Sequence, residues 1–292
     1  MLGGGGFAGS HLVARLARDG EVAAPRRAEL DLAEPDAVRA AVRELRPRAV
    51  FHLAAFSSPR LSWERPREAL LGNVTMTLNV LDAVRADASA ATVVLVGSGQ
   101  VYADTGSEPV TEDTPLEPLS PYAVSKAACD LLGAQQAAAH DMRVVRVRPF
   151  NHAGPRQSDE YVVSTLARQV AAAEVAGAGE ALLRTGDTAA ARDFTDVRDV
   201  VEAYALAACA APAAYNVCSG RCTSVAELID LLRGVATVPI RHEVDPARLR
   251  ARDARPIRGS HERLSAATGW APRISLEQTI RDTLEWWREQ LR

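Results

Sequence analysis

The chain contains one lysine. Lys and Arg together number 34, and Lys126 is the only one of them that is not arginine. Arginine substitutes for lysine at little cost on a solvated surface, but not where a compact ammonium or a movable pKa is needed. Lys126 stands four residues after Tyr122, in the stretch Tyr-Ala-Val-Ser-Lys, and the chain has only 5 tyrosines. On a helix, positions i and i+4 share a face. An ammonium there favours the phenolate and is expected to lower the tyrosine pKa towards working pH. Tyr122 can then give a proton to a substrate oxygen, or take one from it. Ser98 closes the strand before this helix, and its hydroxyl can bond the same oxygen. Ser98, Tyr122 and Lys126 form the candidate catalytic set.

A second group lies at the start. Gly3, Gly6 and Gly9 form G-x-x-G-x-x-G, followed by apolar Leu12, Val13, Leu16 and Ala17 at helical spacing. Such a loop lets the backbone approach a pyrophosphate, and the helix N-terminus supplies N–H donors and a positive dipole end. The expected ligand is a dinucleotide. A buried strand normally precedes this loop, yet only Met1 and Leu2 precede Gly3. The first strand is therefore expected to be encoded upstream. Without it, stability and cofactor affinity would both suffer. At the adenosine end the chain reads Pro25-Arg26-Arg27 where an acidic residue would hold the 2′-hydroxyl of NAD. Arg26 and Arg27 suit a 2′-phosphate, which favours NADP, with NAD still possible. Asp31 and Leu32 are placed to contact adenine.

The elements that must position these groups alternate. Strands are expected at 21–24, 28–32, 49–55, 92–96 and 143–147, with helices at 11–18, 35–45, 66–86 and 120–140. Alternation of this kind gives an α/β fold, a Rossmann doubly wound parallel sheet covered on both faces. After Pro149 the rhythm changes. Helices are expected at 162–176, 197–210, 224–232 and 276–290, with an extended, arginine-rich, solvated stretch at 239–259. This half reads as a smaller C-terminal α/β substrate domain without its own core. Residues 1–148, with about 193–217, are assigned to cofactor binding, and 149–192 with 218–292 to the substrate.

Composition excludes several classes. With 47% hydrophobic and 24% charged residues and a net charge of −3, the chain is an ordinary globular protein. It has no basic field for nucleic acid and no apolar run long enough for a membrane span. The N-terminus lacks a signal-peptide pattern, so a cytoplasmic location is expected. Cys129, Cys209, Cys218 and Cys222 form no C-x-x-C pair, and reduced thiols rather than a metal site are expected.

These residues together resemble the extended short-chain dehydrogenase/reductases that act on nucleotide sugars. The resemblance rests on Gly3-x-x-Gly6-Phe7-x-Gly9, His52-Leu53-Ala54-Ala55, Asn73, Ser98, Tyr122-x-x-x-Lys126 and Arg148-Pro149-Phe150-Asn151. It covers essentially the whole chain apart from the first strand. It implies that Phe7, Leu53, Ala54, Ala55, Asn73 and Pro149 join the glycines, Tyr122 and Lys126 around NADP. Arg148–His152, Arg192–Asp199, Tyr215–Gly220 and Asp245–Arg250 resemble the GDP-mannose branch, which holds both dehydratases and keto-reductases. The dehydratases carry a Glu as acid/base two residues after the active-site hydroxyl. This chain has Gln100 there, preceded by Gly99, and a neutral amide cannot shuttle the proton for water elimination. The resemblance therefore implies reduction of the C4 keto group of a GDP-linked 4-keto-6-deoxyhexose. Asn151, Arg192 and Arg250 would hold the diphosphate, with Arg168, Arg248 and Gln100 as further substrate contacts, and a homodimer is implied. The alternatives are a nucleotide-sugar 4-epimerase or dehydratase, or a non-catalytic dinucleotide-binding protein.

Overall fold

The computed structural model describes residues 1–248 and 257–292. Four parallel strands form the main sheet: β1 (Ala49–His52), β2 (Thr92–Val96), β3 (Val144–Pro149) and the later β7 (Ala214–Val217), in the order β1-β2-β3-β7. Their β-branched runs carry apolar side chains on both faces, as a strand covered on both sides requires. Val94, Val145 and Val147 face α1 (Phe7–Leu16) and the later α7 (Val197–Ala207), in one core with Leu12, Val200 and Tyr204. Val93, Leu95 and Val144 enter a second core with Val38 and Val42 of α2 (Pro35–Leu45) and Val80, Leu81 and Val84 of α4 (Asn73–Asp87). The period-2 alternation of the strands thus sorts their side chains between two helical layers. α5 (Pro121–His140) joins the second layer. A Cβ on its Gly133 would stand 2.8 Å from Leu95 Cδ2, so the helix lies close on the sheet.

The strands expected at 21–24 and 28–32 do not form. Leu2 makes a single parallel bridge to His52, and the Met1 ammonium donates to the Ala23 carbonyl oxygen at 2.9 Å. Residues 21–26 thus run beside a two-residue stub of the central strand, which offers too short a ladder to pair with. Residues 27–29 turn instead. The helix expected at 66–86 contains a π-turn over Glu68–Gly72 before α4, and α3 (Pro59–Glu64) precedes it.

The C-terminal half does have a core, contrary to expectation. α6 (Val162–Val175), β5 (Ala181–Thr185), α8 (Val225–Arg233) and α10 (Leu276–Leu291) bury Val163, Leu166, Val170, Leu183, Leu228, Leu232, Ile280 and Leu284 together. The 3.6-residue periodicity of these helices supplied the apolar stripes, and facing stripes bury one another. The stretch expected to be extended and solvated is partly ordered in a sheet: β9 (Ile240–Val244) pairs in parallel with β5. β4 (Asn151–Ala153), β6 (Ala191–Asp196) and β8 (Cys222–Ser224) make a three-stranded sheet between the halves. α9 is Glu262–Thr268. No helix among the described residues is long and apolar enough to cross a membrane.

Candidate active site

The sheet ends and α5 place the catalytic candidates. Ser98 follows β2 and caps a 3-10 turn over Gly99–Val101, its Oγ accepting from the Gln100 N–H at 3.2 Å. α5 starts where Ser120 Oγ accepts from the Ala123 N–H at 3.1 Å, with Pro121 in the first turn. Such a cap contributes about 1 kcal/mol. Tyr122 therefore sits in the first turn, its N–H donating to Ser62 Oγ at 3.2 Å. The Ser98 hydroxyl lies near enough to its phenol to lower the phenol's pKa.

Lys126 lies one turn further along, buried, and its ammonium donates to the Val96 carbonyl oxygen at 2.9 Å. The structure corrects the expected electrostatics. Burial pushes the Tyr122 phenol up to about 12, with the Ser98 hydroxyl pulling the other way. Burial also lowers the Lys126 pKa, opposed by the Cys129 thiol. Removing the phenolate from water thus outweighs any help from the ammonium, which is directed at the end of β2.

Helix α4 backs the site. Asn73 Oδ1 accepts from the Phe56 N–H at 2.7 Å, and its Nδ2 donates to Phe56 O and to Ser125 Oγ at 3.2 and 2.8 Å. Asn73 is thus fixed between the chain after β1 and α5, at the end of the π-turn. Buried His52 reaches Thr77 Oγ1 through Nε2 at 3.3 Å, and its Nδ1 has no partner. Burial depresses its pKa to about 3, so it is a neutral core histidine.

The glycine loop shows which glycines answer to the fold and which do not. Gly3 has φ +87, and a Cβ there would lie 2.6 Å from the Ala54 nitrogen. A Cβ on Gly9 would lie 2.0 Å from the Gly3 carbonyl oxygen. Gly6 is different. Its nearest neighbour would be 3.4 Å away, an ordinary contact, and it is exposed at the N-cap of α1. No side chain caps this helix and its first turn holds no acid. Bare N–H donors beside an unobstructed backbone fit a pyrophosphate. Leu53 and Ala54 flank the loop, both N–H groups donating to Leu2 O, at 2.9 and 3.1 Å. Ala55 follows, half-buried. Phe7 stacks on His152 at 5.8 Å, tying the loop to β4.

Arg26 and Arg27 are both exposed. Arg26 pairs with Glu29 at 2.9 Å, whereas Arg27 has no ion pair or hydrogen bond among the described residues. Asp31 Oδ1 accepts from the Ala33 N–H at 3.0 Å, and buried Leu32 gives its carbonyl oxygen to Asn79. Pro149 is buried at the end of β3, opposite Val217.

The substrate candidates divide. Gln100 is exposed just past Ser98. Asn151 and Arg192 belong to neighbouring strands, Asn151 opposite Phe194, and both are half-buried. Arg192 Nη1 donates to the Ala191 carbonyl oxygen at 2.7 Å. Arg168 is engaged within its own half, 3.3 Å from Asp159 and 5.7 Å over the Trp287 ring. It is exposed on α6. The Arg248 side chain and Arg250 lie outside the described residues.

Three features escaped the sequence reading. The Arg148 guanidinium closes on Asp130 of α5 and donates to Tyr102 Oη at 2.8 Å. Asp193, fully buried, accepts from the N–H groups of Ser219, Gly220 and Gly259 and from Ser219 Oγ. The Phe150 ring lies against both Gly99 and Gly259. Asp130 was the readable one, since it continues the i, i+4 stripe of Tyr122 and Lys126.

Comparisons with known proteins agree with this geometry. The GDP-mannose 4,6 dehydratase family matches residues 25–283. A GDP-6-deoxy-D-mannose reductase from Pseudomonas aeruginosa is 40% identical over 298 residues, spanning 100% of this chain and 97% of the relative. A UDP-glucose 4-epimerase from Mycolicibacterium smegmatis is 31% identical, over 99% of this chain and 98% of the relative. Among solved structures, RMD from Pseudomonas aeruginosa complexed with NADPH superposes with a TM-score of 0.88 at 38% identity, over 99% of both chains. A Thermus thermophilus UDP-glucose 4-epimerase complex with NAD gives 0.85 at 30% identity, over 98% of this chain and 97% of the other. The fold, the Ser98–Tyr122–Lys126 arrangement and these full-length matches place the chain in the GDP-mannose 4,6-dehydratase family of extended short-chain dehydrogenase/reductase enzymes.

Proposed function

We propose that the protein reduces the C4 keto group of GDP-4-keto-6-deoxy-mannose with NADPH. The observation that carries this reading is the meeting of Ser98 and Tyr122 beside buried Lys126, with Gln100 rather than a carboxyl group exposed just past Ser98. The site has a proton donor for a ketone oxygen and no acid/base at the place that elimination uses.

Bound NADPH supplies the hydride, which the C4 carbon receives. Ser98 orients the keto oxygen by a hydrogen bond. Tyr122, kept protonated by burial, gives its phenolic proton to that oxygen as the alcohol forms. Lys126 holds the nicotinamide ribose and stabilises the tyrosinate left behind. The bare N-terminus of α1 and Gly6 receive the pyrophosphate, with Leu53, Ala54, Ala55, Asn73 and Pro149 lining the rest. Arg27 and Arg26 receive the 2′-phosphate, and Asp31 and Leu32 the adenine. Asn151 and Arg192, with Arg248 and Arg250, bind the diphosphate of the sugar nucleotide, because guanidinium forks match phosphate oxygens.

Helix α5 and the π-turn before α4 expose Val124, Leu131 and Leu71, by 40%, 58% and 50%. These side chains support a homodimer through this face, which light scattering would check. A cytoplasmic location fits a soluble nucleotide-sugar substrate. The reading is tested by incubating the protein with GDP-4-keto-6-deoxy-mannose and NADPH and analysing the product by mass spectrometry. A gain of two hydrogens in the sugar nucleotide supports it, and unchanged substrate refutes it.

A further inference from the structure

Phe150 occupies an unusual place between the two halves. It follows Pro149 at the end of β3 and is buried, its N–H donating to Val217 O at 2.9 Å. Its ring lies against Gly99, the residue after Ser98. A Cβ at Gly99 would stand 2.8 Å from both Phe150 Cδ2 and Cε2 and 3.0 Å from Cγ. The same ring also meets Gly259, where a Cβ would stand 2.7 Å from Phe150 Cζ, 2.9 Å from Cε2 and 2.6 Å from Cys218 Sγ. Both neighbours must be glycine for the ring to fit, since real Cβ atoms do not come this close and interiors are packed without slack.

Each glycine is in turn fixed to a functional element. Gly99 begins the 3-10 turn that Ser98 Oγ caps. The Gly259 N–H donates to Asp193 Oδ2 at 3.2 Å, and Asp193 adjoins Arg192 on β6. Gly259 also bridges Val110, and its neighbour Ser260 donates its N–H to Val110 O at 2.9 Å. A continuous line of contacts therefore runs from Arg192 through Asp193, Gly259, Phe150 and Gly99 to Ser98. Its first residue is assigned to the diphosphate and its last to the keto oxygen.

We propose that Phe150 is a positioning residue, a wedge that sets the Ser98 turn against the Gly259 backbone on the substrate side. The inference rests on the functional reading above for its kinetic consequence. Phe150 touches neither reacting atom. Its effect is to hold Ser98 at the distance from Tyr122 that a shared substrate oxygen requires, and misplacement by a fraction of an ångström is enough to slow such a step.

The test uses Gly259→Ala, Phe150→Leu and the double variant, in crystals and in the NADPH assay. In Gly259→Ala the added methyl displaces the ring, which also bears on Gly99, while the Cys218 thiol can rotate aside. Phe150 and Ser98 are expected to shift together in the crystal, and kcat to fall about tenfold with KM for NADPH within about twofold of wild type. Leucine lacks the far ring atoms, so the double variant recovers to within about threefold of Phe150→Leu alone. A merely structural role would lower Tm without this rescue of kcat. A Gly259→Ala crystal in which the ring moves and Ser98 stays overturns the proposal, as does a kcat loss that Phe150→Leu leaves unrescued. An inactive wild type would instead count against the functional reading, and the crystal displacement still decides the wedge.

Discussion

Arg148 grips Asp130 with Nε at 2.9 Å from Oδ2 and Nη2 at 2.8 Å from Oδ1, two helical turns from Tyr122 on the same stripe of α5. Arg146 adds a third contact at 2.7 Å, and Asp130 is only 1% exposed. The pair therefore fixes the rotation of the helix that carries Tyr122 and Lys126. Taking away the carboxylate would strand buried guanidinium charge, which costs about 3–5 kcal/mol. Asp130→Asn is expected to lower stability on that scale in denaturant titrations. A change below about 1 kcal/mol would show the pair to be dispensable.

The glycine loop separates folding from binding. Gly6→Ala meets no close neighbour, so stability should stay within about 0.5 kcal/mol of wild type. The same methyl obstructs the pyrophosphate, and the Kd for NADPH should rise at least about tenfold, a loss of about 1.4 kcal/mol. Gly9→Ala, with its Cβ 2.0 Å from Gly3 O, should lose stability as well. Fluorescence titration and thermal melts on the two variants check this contrast.

Arg27 has no partner among the described residues, whereas Arg26 is already paired with Glu29. Arg27→Ala should reduce the ratio of kcat/KM for NADPH over NADH by about tenfold, the loss of roughly one charge-assisted phosphate contact. An unchanged ratio would place the 2′-phosphate elsewhere.

His52 makes stability depend on pH. Its folded-state pKa is depressed from 6.5 to about 3 by burial, with Lys126 adding to the shift. The unfolded chain therefore takes up a proton below pH 6.5 that the folded chain refuses. The stabilisation is complete above that value and is lost as pH falls towards 3. Between neutrality and pH 5 the loss is about 2 kcal/mol. Unfolding curves at the two pH values should show a difference that His52→Gln reduces by that amount.

The sequence made legible those features that repeat along the chain or cluster within a few residues. Periodicity located the longer helices but not the short α3 and α9, and β-branched runs located β2 and β3. The solitary Lys126 with Tyr122, and the glycine loop, marked the two halves of the site. The strands expected at 21–24 and 28–32 were misread, because a strand is a property of its neighbours and only Met1 and Leu2 stand where the ladder would be. The core of the C-terminal half was missed because its residues come from separated helices, with α6 and α10 contributing Val170 and Leu284. The high pKa of Tyr122 was not legible either, since spacing shows the nearby ammonium but not how deeply a phenol is buried. Phe150, Gly99 and Gly259 are far apart in the chain, and nothing in their types announces that they meet.

The central claim is that Tyr122 protonates the C4 oxygen of a GDP-linked keto-sugar as NADPH is consumed. The most direct measurement follows NADPH absorbance with GDP-4-keto-6-deoxy-mannose for wild type and Tyr122→Phe side by side. Tyr122→Phe should bind NADPH with a Kd within about threefold of wild type, while its kcat falls by about 100-fold or more, the scale of general acid catalysis. Burial holds the phenol protonated well above neutral pH, so the wild-type rate should stay level across pH 7 and decline only as the solution becomes strongly alkaline. NADPH oxidation that persists in Tyr122→Phe, or a wild type that leaves NADPH untouched, would contradict the account.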